Sequence, residues 1–323
     1  MFILKKYTGV VIVIVLAILI MSVSGFAVES NYPTRPISFV VPASPGGGTD
    51  ASARILAKYL TQELGQAVVI VNVTGGGGGV GSREVKDSNP DGYTALYYHE
   101  NTIMTNVIGL TEYGYEAFEV CAIPLIVDSL GLVAGGKYKS LKEVISIAKE
   151  NPEKLIYGTE LGGSFTIPFF AIQNLAGVKF NLVDTGSIGP TIAVMVGGQI
   201  DLTATPLGMV KDYLETGQIT ALATMGEERS PLLPDIPTLI EQGIDFSYPK
   251  FYCIAFPKET SEEIVQKFSD AVKKVVENPA YQEEVKKLFF TPHYLNSEEA
   301  IVLIGKTKLM FEKYKDEMTK TTK

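Results

Sequence analysis

Histidine and cysteine are nearly absent from this chain: each occurs twice in 323 residues. His99 and His293 lie far apart, and neither has ligand spacing to a cysteine or an acidic cluster. No metal site of the usual His/Cys kind is therefore expected. No G-x-S-x-G elbow occurs, which removes the α/β-hydrolase reading. Positive charge is also in short supply, with 28 Lys and Arg against 36 Asp and Glu, a net charge of −8. An acidic balance of that kind argues against nucleic acid or an anionic membrane as the main partner. Low-complexity tracts and solenoid-period repeats are missing too. Cys121 and Cys253 both sit in apolar, strand-like runs. Two buried free thiols are the plainer reading, but pairing in an oxidising compartment stays open, because sequence does not place their Cα atoms.

One long apolar run does occur, at the start. Lys5 and Lys6 precede an unbroken stretch from Val10 to Met21, and the small residues Ser22, Ser24, Gly25 and Ala27 follow. That order is the n-region, h-region and cleavage site of a secretory signal peptide, expected over residues 1–27. An uncleaved membrane anchor is the alternative. Twin arginines and a lipidation cysteine are both lacking, so export of an unfolded chain to the periplasm, with no preloaded cofactor, is expected. Removing two lysines and no acids takes the remainder to −10. Its length suffices for two domains with their own cores.

Beyond that point, short apolar runs alternate with amphipathic segments. Strands are expected at 37–41, 67–73, 93–98, 118–125, 130–134, 155–157, 179–183, 202–204, 221–224 and 251–256. Helical spacing is found at 51–64, 141–149, 168–175, 191–196 and 210–215. This alternation predicts parallel sheets flanked by helices. The C-terminal part reads as three helices with little strand. Thr260 with Glu263 suggests a capping box, Pro279 opens a second helix, and Ser297 opens a third. No single linker divides the chain.

Two strand-to-helix turns are packed with glycine. The first is FVVPASPGGGTDASAR (Phe39–Arg54), and the second begins VVIVNVTGGGGGVG at Val68 and ends in the turn NPDGYT. Backbone N–H groups and a helix N-terminus at such turns can face an anion. Ser44, Gly46, Gly47, Gly48 and Thr49 supply donors at the first, while Gly76, Gly77, Gly78 and Gly79 supply them at the second. Each glycine has an alternative role as a tight turn with positive φ. Asp50 lies in the first helical turn and pairs naturally with Arg54 at i+4, so helix support outweighs ligand contact there.

These residues carry a family resemblance. The stretch from Tyr32 through both glycine turns resembles the opening of the Bug-type solute receptors, the extracytoplasmic components of tripartite tricarboxylate transporters. YGTELGGS (157–164), GGQIDLTATP (197–206), LETGQITALAT (214–224) and RSPLLPDIPTLIEQG (229–243) follow in the family's order. The resemblance implies a type II periplasmic-binding-protein fold, with two α/β lobes joined by crossing strands and a ligand cleft between them. It places lobe 1 at 28–123 plus 249–323 and lobe 2 at 124–248, with 118–125 and 251–256 as the crossing strands. The implied ligand is a small carboxylate held by both glycine turns, and across the cleft by Thr159, Ser164, Gly186, Ser187 and Thr205. No cofactor and no catalysis are implied. The implied partners are membrane permease subunits, and the receptor is expected to be a monomer.

Departures from the family pattern bear on the ligand. Asp184 and Thr185 stand where a tyrosine and a lysine are frequent, Phe169 where a histidine is frequent, and Glu160 adds an acid. Fewer cations and more acids favour a mono- or dicarboxylate over citrate, including one with an amino group facing Glu160 or Asp184. Two other functions fit parts of the sequence. The same fold can serve a membrane sensor instead of a transporter. Gly76, Gly78 and Gly81 also spell a dinucleotide-binding G-x-G-x-x-G, with Glu100 near the ribose-binding spacing, which would suit an NAD-dependent oxidoreductase. Five consecutive glycines match almost any such pattern, and NPDG cuts the following helix short.

Overall fold

The computed structural model describes residues 31–248 and 250–321; the expected signal peptide over 1–27 lies outside the described residues. Residues 31–34 belong to an N-terminal unit separate from the body, which begins at Arg35. In the body, β1 (Ile37–Val41) leads to α1 (Gly48–Leu64), and β2 (Val68–Asn72) leads to α2 (Gly79–Lys86). β3 (Thr94–His99) leads to α3 (Asn101–Val107), and β4 (Phe118–Ile126) follows. The middle of the chain supplies β5 (Leu130–Gly135), α4 (Leu141–Glu150), β6 (Ile156–Thr159), α5 (Thr166–Ala176) and β7 (Asn181–Asp184). It continues with α6 (Ile188–Val196), β8 (Leu202–Pro206), α7 (Lys211–Glu215) and β9 (Ile219–Thr224). The last part holds β10 (Phe251–Pro257), α8 (Glu262–Glu277), α9 (Pro279–Lys286), β11 (Thr291–Leu295), α10 (Ser297–Lys313) and α11 (Lys315–Thr321).

These strands form two sheets, in the orders β11-β4-β10-β3-β1-β2 and β7-β6-β8-β5-β9. The expectation of parallel sheets holds for part of each sheet, and both sheets also contain antiparallel pairs. β1 is parallel to β2 and β3, but β10 is antiparallel to both β3 and β4. In the second sheet β5 is antiparallel to β8 and β9, whereas β6 is parallel to β7 and β8. Antiparallel pairs arise because the chain leaves the first sheet after β4 and re-enters it at β10. As expected, β4 and β10 pair with each other, and each carries one cysteine. Cys121 and Cys253 are buried and free.

Near-continuous apolar runs make β1, β4 and β10 two-sided core strands, because sheets covered on both faces need no alternation. Phe39 of β1 lies 6.4 Å from Phe268 of α8, and Tyr97 of β3 stacks on Tyr252 of β10 at 5.3 Å and 5°. Full burial of one such ring is worth about 1.5–3 kcal/mol. Spacing predicts one apolar face of Ile264, Phe268, Ala271, Val272 and Val275 for α8; the last four are buried, whereas Ile264 is only partly covered. Its N-cap is Ser261 rather than Thr260, whose hydroxyl instead donates to the Pro257 carbonyl. The capping box falls one helix pair later, at Asn296 and Glu299 of α10. Between the expected second and third C-terminal helices lies β11, an edge strand, where Pro292 is tolerated.

Candidate functional site

The first glycine turn is braced from within by Asp50, which is only 3% exposed. Its Oδ2 accepts from the Gly46 backbone N–H and from Arg54 Nε, both at 2.9 Å. Its Oδ1 accepts from Asn72 Nδ2 at 2.9 Å, and the same amide donates to the Ala43 carbonyl. Burial alone would raise the Asp50 carboxyl, but Arg54, Gly46 and Asn72 together hold it below its ordinary value. Asp50 therefore shapes the turn, in keeping with helix support. Gly47 stands at the N-cap of the 17-residue α1, with no side chain capping the first-turn N–H groups. Gly48 is closely packed: a Cβ there would lie 3.2 Å from the Phe290 ring and 3.4 Å from the Tyr252 hydroxyl. Ser44 and Gly46 are exposed, whereas Thr49 is buried and interacts with the same Tyr252 phenol.

The second turn owes its glycines to backbone shape. Gly75, Gly76, Gly77 and Gly78 take φ of 123°, 56°, 63° and 97° in succession, a path that side-chain-bearing residues rarely follow. Gly76 and Gly77 lie on the surface, while Gly78 and Gly79 are buried within the turn. A Cβ on Gly81 would meet the Val73 carbonyl at 2.7 Å, so this position serves packing. The dinucleotide fingerprint also loses its acid, because Glu100 is fully buried and engaged elsewhere.

Across from these turns, Thr159 ends β6, and its carbonyl accepts from the Thr185 N–H at 3.0 Å, which brings it beside the Asp184–Ser187 loop. Gly186 has φ of 71° and its N–H donates to Asp184 Oδ1. Ser187 is an exposed N-cap on α6 whose side chain makes no capping bond. Thr205, near the end of β8, is buried with its hydroxyl unpartnered. Glu160 is exposed, and partial burial together with the neighbouring Asp184 raises its carboxyl. Phe169 is a core residue packed on Tyr157 rather than part of the loop.

Ser164 joins the two sheets. Its N–H donates to Asn101 Oδ1 at 3.1 Å, and its hydroxyl reaches Glu100 Oε1 at 3.5 Å. Glu100 follows β3 directly and accepts from Lys250 Nζ at 2.8 Å, with Glu100 wholly buried and Lys250 6% exposed. The ammonium lies 5.2 Å from the Phe165 ring and 5.5 Å from the Tyr252 ring. A continuous series thus runs from the first glycine turn through Tyr252, Lys250 and Glu100 to Ser164. Burial works against charge on both members of the pair, yet their mutual attraction holds Glu100 low and Lys250 high. His99 behaves differently: burial and then Lys250 push it down to about 4, against the pull of Glu100. Its Nδ1 accepts from the Asn101 N–H at 3.3 Å, which suits the neutral ring.

Glu100, Lys250 and Tyr252 are absent from the expected site residues. The available signal was a lone lysine at the head of the wholly apolar strand Phe251–Phe256, because a cation there needs a buried partner. A cavity of about 340 Å3, lined mainly by Leu207, Leu214, Leu233, Ile236 and Phe289, involves none of the expected ligand residues. Among the described residues no cluster of His, Cys, Asp and Glu is arranged to hold a metal ion.

Comparison with known proteins agrees with this architecture. Residues 52–313 match the tripartite tricarboxylate transporter family receptor. A Cupriavidus necator protein, described as the UPF0065 protein in the gbd 5' region, is 33% identical over 303 residues, covering 89% of this chain and 90% of its own. The solved periplasmic binding protein BugD superposes with a TM-score of 0.75 at 26% identity, over 89% of this chain and 98% of BugD. R. palustris Rpa4515, solved with adipate, gives a TM-score of 0.79 at 25% identity, over 89% of this chain and 98% of its own. The two-sheet α/β body has the periplasmic-binding-protein fold expected from the motifs.

Proposed function

From the premise that this chain belongs to the tripartite tricarboxylate transporter receptor family, we propose that it captures a small mono- or dicarboxylate in the periplasm and delivers it to membrane subunits of such a transporter. The observation that carries the reading is the first glycine turn. Asp50 is drawn into its own loop, while the first-turn N–H groups of α1 have no side-chain cap. A carboxylate placed there meets unpaired N–H donors and the positive end of a long helix, worth on the order of 1 kcal/mol or more. Adipate in the related Rpa4515 supports the ligand class. The signal-like N-terminus supports the location.

In this reading the first sheet belongs to lobe 1 (28–123 plus 249–323) and the second to lobe 2 (124–248). Ligand held by Ser44 and Gly46–Thr49 with Gly76 and Gly77 on one side, and by Thr159, Ser164, Gly186, Ser187 and Thr205 on the other, favours the closed arrangement. Membrane subunits then distinguish closed from open. The testing experiment is a thermal-shift screen of organic acids. A carboxylate at a hundred times its Kd should stabilise the protein by about 2.7 kcal/mol. Gly47→Glu should abolish the shift without unfolding, because Gly47 has an ordinary extended backbone and its nearest neighbour to an added Cβ is 3.7 Å away. Stabilisation by nicotinamide dinucleotides alone would refute the reading.

A further inference from the structure

The two cations that adjoin the first glycine turn and Ser164 each have a carboxylate partner. Arg54 is bound to Asp50, and Lys250 is bound to Glu100. His99, beside that pair, remains neutral. On the opposite side Glu160 and Asp184 have no basic partner among the ion pairs of the described residues, and Asp184 raises the Glu160 carboxyl. Lys250 lies at the middle of the seam. Its ammonium is close to Tyr252, which touches the first glycine turn, and to Phe165, which adjoins Ser164. Glu100 Oε1 takes both the ammonium and the Ser164 hydroxyl, while its Oε2 is buried without a hydrogen-bond partner. A buried pair of this kind adds little stability over an apolar substitute. Its effect on the seam is electrical: it removes Lys250, the one buried cation among the described residues, from service.

We propose that Glu100 is a specificity-determining residue that neutralises Lys250, so that the seam between the first glycine turn and Ser164 offers neutral donors without net positive charge and favours ligands of low negative charge over polyanions. The inference rests on the carboxylate-receptor reading and assigns the device that sets its charge preference. Each additional ligand carboxylate would need its own donor in this seam, and would meet Glu160 and Asp184 instead.

The test is calorimetric titration of the purified protein with acetate, adipate and citrate. It is run on the wild type, Glu100→Gln, and the neutral double variant Glu100→Gln/Lys250→Met. Glu100→Gln should raise affinity for adipate and citrate relative to acetate by at least about tenfold, the scale of one unit charge acting across a partly screened site. The double variant should return to the wild-type ranking. A ligand-independent arm measures thermal stabilisation by low-millimolar sulfate against chloride of equal ionic strength, expected to be larger in Glu100→Gln than in the wild type and the double variant. An unchanged ranking together with no larger sulfate response in Glu100→Gln would overturn the proposal. Should no carboxylate bind any form while sulfate still stabilises Glu100→Gln more than the other two, the charge assignment stands and the receptor reading fails. Should Glu100→Gln not fold, Lys250→Met alone serves: it should weaken adipate at least about tenfold more than acetate, and equal effects on both would overturn the proposal.

Discussion

The depressed pKa of His99 makes a sharp statement about stability and pH. In the folded protein burial and Lys250 hold the ring near 4, whereas an unfolded chain protonates it at its ordinary 6.5. The unfolded state therefore gains a proton first as pH falls. The contribution of His99 to stability is complete above pH 6.5, declines between 6.5 and about 4, and is flat below. At about 1.4 kcal/mol per pH unit, the full loss is about 3 kcal/mol. His99→Gln removes the titration and keeps an acceptor for the Asn101 N–H. Urea unfolding at several pH values between 7.5 and 4 should show the wild type losing about 3 kcal/mol more than the variant. Asp50 and Glu100 also titrate at low pH, but they do so in both proteins. With only two histidines in the chain, proton NMR can follow His99 directly. A ring that titrates near 6.5, or parallel stability curves, would refute the reasoning.

Two further outcomes follow from the same coordinates. Asp50→Ala should cost about 2–3 kcal/mol in urea unfolding at pH 7, because it strips acceptors from the Gly46 N–H, Asn72 and Arg54. It should also weaken adipate binding, and since the Asp50 carboxyl lies below 3.8 in the folded state, the deficit should persist above that pH and fade below it. Neither thiol should react with iodoacetamide in the native protein, since burial drives Cys121 well above its usual range and Cys253 up to about 12. Rapid native-state alkylation of either would contradict their placement.

Much of this architecture was legible because hydrophobic period and glycine punctuation are local signals. β1 was expected and found at Ile37–Val41, and the crossing pair of 118–125 and 251–256 was recovered within a residue or two. α3 went unread because Thr102, Ile103, Met104, Thr105 and Val107 are all buried, leaving a seven-residue helix without a polar face to give it periodicity. β11 was hidden by Pro292, which usually argues against a strand. At the site, Asp50 was read as helix support because Arg54 sits four residues away, a spacing visible in sequence. The Glu100–Lys250 pair joins residues 150 positions apart. The lone lysine announces that a buried partner is needed but not which one, and only the antiparallel pairing of β10 with β3 brings Glu100 to it.

That same pairing sets an order of events in folding. β10 lies between β4 and β3, so the middle of the first sheet stays unfilled until residues 251–257 are available. All five strands of the second sheet precede β10 in the chain and can pair before it arrives. A chain emerging from its N-terminus therefore carries one open strand edge on β3 and two on β4, whose partners β10 and β11 both come later, across the whole interval in which the second sheet forms. Closing them requires contacts of long sequence separation, which are slow to form. During that interval the exposed edges favour a holding chaperone and disfavour crowding with other copies, because unpaired strands recruit one another. The late strand works as a timer: most of the chain must be available before the first sheet can close.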